Sequence, residues 1–207
     1  MMTTEIFAAL AVFAVVSSIT PGPNNLMLMT SGINFGLRRT VPHMLGVALG
    51  FTLMIALIGL GMMQVINAVP GSMTFITIAS GLYLLYMAWT IATTNTTRAQ
   101  NSDVAARSKP FTFLQAALFQ WVNPKAWTMA LTAISVYAPK SQGWVGILIV
   151  AGVFGIINLP VTGTWAVMGA KMRRLLNDPA RLKIFNLVAA FLLVASLYPM
   201  VAGLFAA

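Results

Sequence analysis

The chain has 207 residues, 59% of them hydrophobic and only 7% charged, with a formal net charge of +9 and no cysteine. A soluble domain carries about 25% charged residues, so too little charge remains to solvate a globular surface, and lipid is the expected solvent. The missing cysteines exclude disulfides, thiol redox chemistry and thiolate metal sites, while one histidine and three acidic residues leave little for any other metal centre; neither metal nor cofactor is expected.

Six apolar segments follow in chain order, over about 6–36, 42–66, 72–93, 111–138, 143–169 and 184–205. Each is near the roughly 20 residues a spanning helix needs. The head of the first, Met1-Met2-Thr3-Thr4-Glu5, lacks positive charge, and no small-residue cleavage site follows a short apolar core. It reads as a retained helix rather than a signal peptide. Glu5 is the only carboxylate near a helix and lies at its outer mouth.

The first segment is broken at Thr20-Pro21-Gly22-Pro23-Asn24-Asn25. Pro21 and Pro23 lack N–H groups and Gly22 tolerates unusual backbone angles, so about a turn of hydrogen bonding is lost. In lipid such backbone must be buried in protein or line a polar cavity. A helix restarting after Pro23 points its N-terminal N–H groups into the break, a fit for a carboxylate. A purely structural kink is the competing reading.

In the second segment, Pro42-His43 marks the cytoplasmic start. His43 is expected to be interfacial, with proton coupling as its alternative role. Gly46 and Gly50 form a G-x-x-x-G that reads as a helix-packing contact. The fourth segment is broken at Asn123-Pro124-Lys125, about one hundred residues after the first break. Asn before Pro is a good N-cap and first-turn pair, so Asn123 is expected to cap a half-helix starting at Pro124. Lys125 then places a cation beside a positive helix end, which a substrate carboxylate would relieve. The alternative is that Lys125 snorkels to an interface. Gln120 and Trp121 precede this break and are placed to face it. In the fifth segment Asn158 and Pro160 suggest a further kink, open between packing and cavity lining.

The loop charges give an orientation. Arg38, Arg39, Arg98, Arg107, Lys109, Lys171, Arg173, Arg174, Arg181 and Lys183 fall between segments on one side, and only Lys140 on the other. By the positive-inside rule the basic side is cytoplasmic, next to anionic lipid heads, and both termini lie outside. The polar stretch 94–110 is then a cytoplasmic linker between halves 1–93 and 111–207 of one transporter domain. Three helices per half require opposite insertion, the inverted-repeat plan of many secondary transporters. Paired interrupted segments in corresponding positions are the pointer to a transporter's binding site. The expected fold is thus an all-α membrane protein of six spanning helices in two inverted repeats, helices one and four broken.

Thr20-Pro21-Gly22-Pro23-Asn24-Asn25, Gly36-Leu37-Arg38-Arg39, Gly46-Val47-Ala48-Leu49-Gly50 and Phe119-Gln120-Trp121-Val122-Asn123-Pro124-Lys125-Ala126 carry a resemblance across the whole chain. It resembles the lysine-exporter/homoserine–threonine-exporter family, which has an Asn-Pro-Lys-Ala motif at the same place. Its asparagine pair looks closest to the branch exporting cysteine and O-acetylserine. The resemblance implies an inner-membrane, proton-driven exporter of amino acids or close derivatives, not an enzyme. The substrate site is expected at Thr20, Pro21, Gly22, Pro23, Asn24, Asn25, Gln120, Asn123, Pro124 and Lys125. Its amino group is expected on carbonyls freed by the breaks or on the Asn24, Asn25 and Asn123 side-chain oxygens, and its carboxylate on half-helix N–H groups and Lys125. Lys125 and His43 are the proton-coupling candidates, since no carboxylate lies at the membrane centre. The expected partners are the amino-acid substrate, membrane lipid and a second copy in a homodimer, with no nucleic acid. A passive small-solute channel or a structural membrane subunit is the alternative function. A membrane oxidoreductase is disfavoured by the lack of cysteines and histidine pairs.

Overall fold

Thr3 opens the first helix by accepting a hydrogen bond from the Ile6 N–H on its side chain. Helix α1 (Thr4–Ile19) then runs until Pro21 and Pro23 withdraw two N–H donors, and α2 (Pro23–Phe35) restarts at an angle of 55° to it. The computed structural model describes residues 2–94, 110–173, 175–176 and 178–198, and the statements below concern these. Among them every regular element is helical, with no strand.

Gly36, at φ 78°, makes the sharp turn into α3 (Leu37–Leu57). A π-helical turn at Ile58–Met62, with Gly61 at φ 112°, joins α3 to α4 (Met63–Ala68). Then follow α5 (Ser72–Ala92), α6 (Phe113–Phe119), a 3₁₀ turn (Gln120–Val122) and α7 (Pro124–Thr132), which ends in a π-helical turn (Ala133–Tyr137). Helices α8 (Gly143–Met172) and α9 (Pro179–Ala195) complete the described chain. Three helical stretches are long and apolar enough to cross a membrane, namely Leu37–Ala68, Thr74–Ala92 and Gly143–Met172; the bent pair α1–α2 makes a fourth if it is one span, and Phe113–Val122 is a shorter apolar helix.

Several boundaries differ from the sequence reading. The second helix starts at Leu37 rather than near residue 42, so Arg38, Arg39 and Pro42 are inside it. The last helix starts at Pro179 rather than near 184, because Asp178 accepts a hydrogen bond from the Ala180 N–H at 2.9 Å and Pro179 fills the first position. Arg181 and Lys183 therefore ride on a helix rather than a loop. Hydropathy marks where a segment leaves hydrocarbon; helices continue past that point into the head-group region. The π turn at Ile58–Met62 was not anticipated either. Arg98, Arg107, Lys109, Arg174 and most of the 94–110 linker, together with the end of the last segment, lie outside the described residues.

Small residues set the packing distances. A Cβ on Gly32 would lie 2.3 Å from the Ala166 carbonyl oxygen, and one on Gly169 would lie 2.1 Å from that of Met29, so α2 and α8 meet backbone to backbone. Gly46 and Gly50 do the same for α3 against α6, where added Cβ atoms would meet the Phe113 oxygen at 2.3 Å and the Ala117 Cα at 2.5 Å. In lipid, where apolar burial gives little drive, close van der Waals approach of this kind holds helices together. One core, including Leu10, Ala14, Phe51, Met54, Ala130 and Phe154, fills the space between α1, α3, α7 and α8. A second, including Met27, Leu84, Met87, Phe119, Ala189 and Leu193, joins α2, α5, α6 and α9. Large apolar side chains such as Phe75, Trp89, Ile156 and Phe191 remain about 70–80% exposed, a surface suited to lipid tails.

Candidate functional site

The two breaks meet. Asn24 and Gln120 exchange hydrogen bonds across them, Asn24 Nδ2 to Gln120 Oε1 at 2.9 Å and Gln120 Nε2 to Asn24 Oδ1 at 3.3 Å. Gln120 Nε2 also donates to the Ala116 carbonyl at 2.9 Å, which fixes the amide's orientation. Between the breaks lies a small cavity of about 30 Å³, walled by α1, α2, α3, α7 and α8.

Each break is held by its own asparagine. Asn25 Nδ2 donates to the Ser18 carbonyl at 2.8 Å and the Thr20 carbonyl at 2.9 Å, capping the end of α1. Asn123 caps α7: its Oδ1 accepts from the Lys125 N–H at 3.1 Å, and its carbonyl accepts from Ala126 and Trp127 at 2.9 and 3.2 Å. Trp127 Nε1 donates back over the 3₁₀ turn to the Trp121 carbonyl at 2.8 Å. The N-terminal donors of α7 are therefore used within the chain and not free for a carboxylate.

The start of α2 is different. Its N-cap, Gly22, has no side chain, Pro23 has no N–H, and the first backbone bond is Leu26 N–H to the Gly22 carbonyl at 3.0 Å. The Asn24 and Asn25 N–H groups have no partner among the described residues. Gly22 is extended at φ −173°, which any residue adopts; a Cβ there would lie 2.8 Å from Lys125 Cδ and 3.2 Å from its Nζ, so the glycine leaves the flexible Lys125 side chain its present place against the break.

Lys125 turns to the first break. Its Nζ donates to the Thr20 carbonyl at 2.5 Å. The ammonium thus sits between the C-terminal, negative end of α1 and the uncapped, positive end of α2. Thr20 donates its own hydroxyl to the Val16 carbonyl, and its carbonyl carries both Lys125 and Asn25.

Of the residues expected at the site, Gly22, Asn24, Asn25, Gln120, Asn123 and Lys125 line the cavity. Thr20 and Pro21 are exposed at the break, Pro23 is buried as the first residue of α2, and Pro124 is the first residue of α7; their contribution is to shape the backbone. His43 is a correction: it is fully buried rather than interfacial. Its ring stacks on Phe111 at 5.0 Å, and both ring nitrogens lack a partner. It is also outside the cavity wall, one helical turn from Val47, which is in it. Ser17, Ser18, Val47, Phe51, Ala126, Met129 and Thr162 line the cavity without having been singled out, and Asn158 does so after being left open. The run Asn158-Leu159-Pro160-Val161-Thr162 in an otherwise apolar helix was the available signal; the serine pair before the first break was another.

Residues 15–197 match the family described as LysE type translocator. The cysteine/O-acetylserine efflux protein of Escherichia coli (strain K12) is 28% identical over 195 residues, covering 93% of this chain and 96% of that protein. A protein of the same description from Shigella sonnei (strain Ss046) matches with the same identity and coverage. No solved structure gives a significant match.

Proposed function

The chain belongs to the LysE family of translocators and is a transporter rather than an enzyme; from that premise we propose that it exports a small neutral amino acid or close derivative, of the cysteine and O-acetylserine class, across the inner membrane. The observation that supports this best is the cavity at the junction of the two helix breaks, with Lys125 on its wall and the uncapped start of α2 beside it. A carboxylate entering there meets the free Asn24 and Asn25 N–H groups and the Lys125 ammonium. The relatives named for cysteine/O-acetylserine efflux support the substrate class.

In this reading six helices span the membrane as two inverted halves, with both termini outside and the cavity near mid-depth. At about 1.5 Å per residue, the 16 residues of α1 and the 13 of α2 reach roughly 24 and 20 Å to either side of the first break. Alternating access moves one half against the other around the cavity. The proton gradient drives export, with Lys125 as the group exchanging protons at the site and His43 as the second titratable group, one turn further along α3. Substrate carboxylate and the Lys125 ammonium compensate each other, so substrate arrival and Lys125 protonation are linked.

The test is uptake of radiolabelled L-cysteine and O-acetyl-L-serine into inside-out vesicles, with and without an imposed pH gradient. Accumulation above the external concentration, abolished when the gradient is collapsed, is the expected result. Equilibration without accumulation would favour a passive channel instead.

A further inference from the structure

Nine polar side chains line the cavity, at Ser17, Ser18, Asn24, Asn25, Gln120, Asn123, Lys125, Asn158 and Thr162. Seven of them hydrogen-bond within the protein: Ser17 to the Phe13 carbonyl, Thr162 to the Leu159 carbonyl, and the others in the pairs described above. Ser18 and Asn158 do not. They are 6% and 5% exposed, and neither side chain has a partner among the described residues. A buried polar group left unpaired costs about 1–3 kcal/mol; Ser18 Oγ is such a group, and it and the unpartnered Asn158 amide line the same cavity, which points to an absent partner.

We propose that Ser18 and Asn158 form the ammonium subsite of the transported amino acid; this rests on the export reading above. The cavity is electrically asymmetric. The Lys125 ammonium and the free N–H groups of α2 make one part fit for the substrate carboxylate. The substrate's other charge needs acceptors. The acceptors that the breaks expose are largely used already, because the Thr20 carbonyl holds Lys125 and Asn25, Asn24 Oδ1 holds Gln120, and Asn123 Oδ1 holds the Lys125 N–H. Ser18 Oγ and Asn158 Oδ1 remain, together with Asn25 Oδ1, whose own amide nitrogen is tied to the carbonyls at the end of α1. Ser18 belongs to the last turn of α1, whose C-terminal dipole end favours a cation. The zwitterion thus lies across the first break, its ammonium toward the end of α1 and its carboxylate toward the start of α2. The Val47, Phe51 and Met129 side chains supply the apolar wall for the substrate's own side chain.

The measurement is equilibrium binding of L-cysteine and of 3-mercaptopropionate, its analogue without the ammonium, to the purified full-length protein in detergent. The parent should prefer cysteine. A hydrogen bond to a charged group is worth about 1.5–3 kcal/mol, or on the order of ten- to a hundredfold in affinity. Asn158→Leu should therefore cut the cysteine/3-mercaptopropionate preference at least about tenfold, leaving the analogue's own affinity nearly unchanged. Ser18→Ala should reduce the preference by a smaller factor, and Asn158→Asp should keep or raise it. Parallel weakening of both ligands in Asn158→Leu, or an unchanged preference in all three variants, overturns the subsite. A parent that binds neither cysteine nor O-acetylserine, nor any other amino acid, removes the export reading itself.

Discussion

Lys125 Nζ donates to the carbonyl oxygen of Thr20 at 2.5 Å, tying the second helix break to the first across 105 residues of chain. An ammonium without a partner is costly among apolar helices. The carbonyl end of α1 accepts it, and the same contact leaves it beside the N–H groups at the start of α2. The cation is thereby held without a carboxylate partner, and an arriving anion is its natural ligand.

Lys125→Met should leave insertion and folding intact and reduce export at least about tenfold, since most of the stem volume stays while the charge goes. Lys125→Arg should also impair export, because its fork is bulkier and it does not give up its proton. Initial efflux rates at matched expression check this. Parental rates in Lys125→Met would remove both the carboxylate contact and the coupling role.

Gly22→Ala should lower transport about two- to tenfold without loss of folded protein. The added Cβ would lie 2.8 Å from Lys125 Cδ, and the flexible side chain must move, displacing Nζ. In a Lys125→Met background the same change should add little, since the two act through one contact. Independent, multiplicative effects would show that Gly22 serves something other than Lys125.

Asn24→Leu and Gln120→Leu should each destabilise the protein by about 0.5–1.5 kcal/mol, because each removes the paired hydrogen bonds between the two amides, while Gln120 keeps its bond to the Ala116 carbonyl. The double substitution should cost less than the sum. Thermal stability in detergent across the cycle gives the coupling; strict additivity would mean the two amides do not pair.

Gly169→Val and Gly32→Leu should abolish recovery of monodisperse protein. A Cβ at either position would lie within 2.3 Å of a backbone oxygen on the facing helix, where no side chain can yield. Overpacking typically costs about 1–3 kcal/mol, and rigid backbone puts these at or above the top of that range. Size-exclusion profiles of fluorescent fusions report it; a parental profile for Gly169→Val would contradict the α2–α8 contact.

Reporter fusions in 67–72 should be active outside the cell, and fusions in 94–110 inside. An external signal from the linker would reverse the proposed orientation.

Much of this was legible in the chain. Composition alone requires lipid as solvent, because 7% charged residues cannot cover a soluble surface. Proline, glycine and asparagine fix both helix breaks locally: a missing N–H interrupts a helix whatever surrounds it, and Asn123 before Pro124 caps the next one. The Gly46/Gly50 spacing likewise marks a packing face. What the sequence left open depends on which helix lies beside which. His43 looked interfacial from its place near a helix start, yet the fold stacks it on Phe111 from another segment and removes it from solvent. Two equivalent-looking half-helix starts proved unequal, since only Asn123 sits where its side chain can cap, while glycine at 22 leaves α2 open. Asn158 and Ser18 became cavity residues only when α1 and α8 packed around the breaks. Local covalent chemistry decides where a chain must bend; which polar groups then find partners, and which are left facing a cavity, is a property of the packed arrangement.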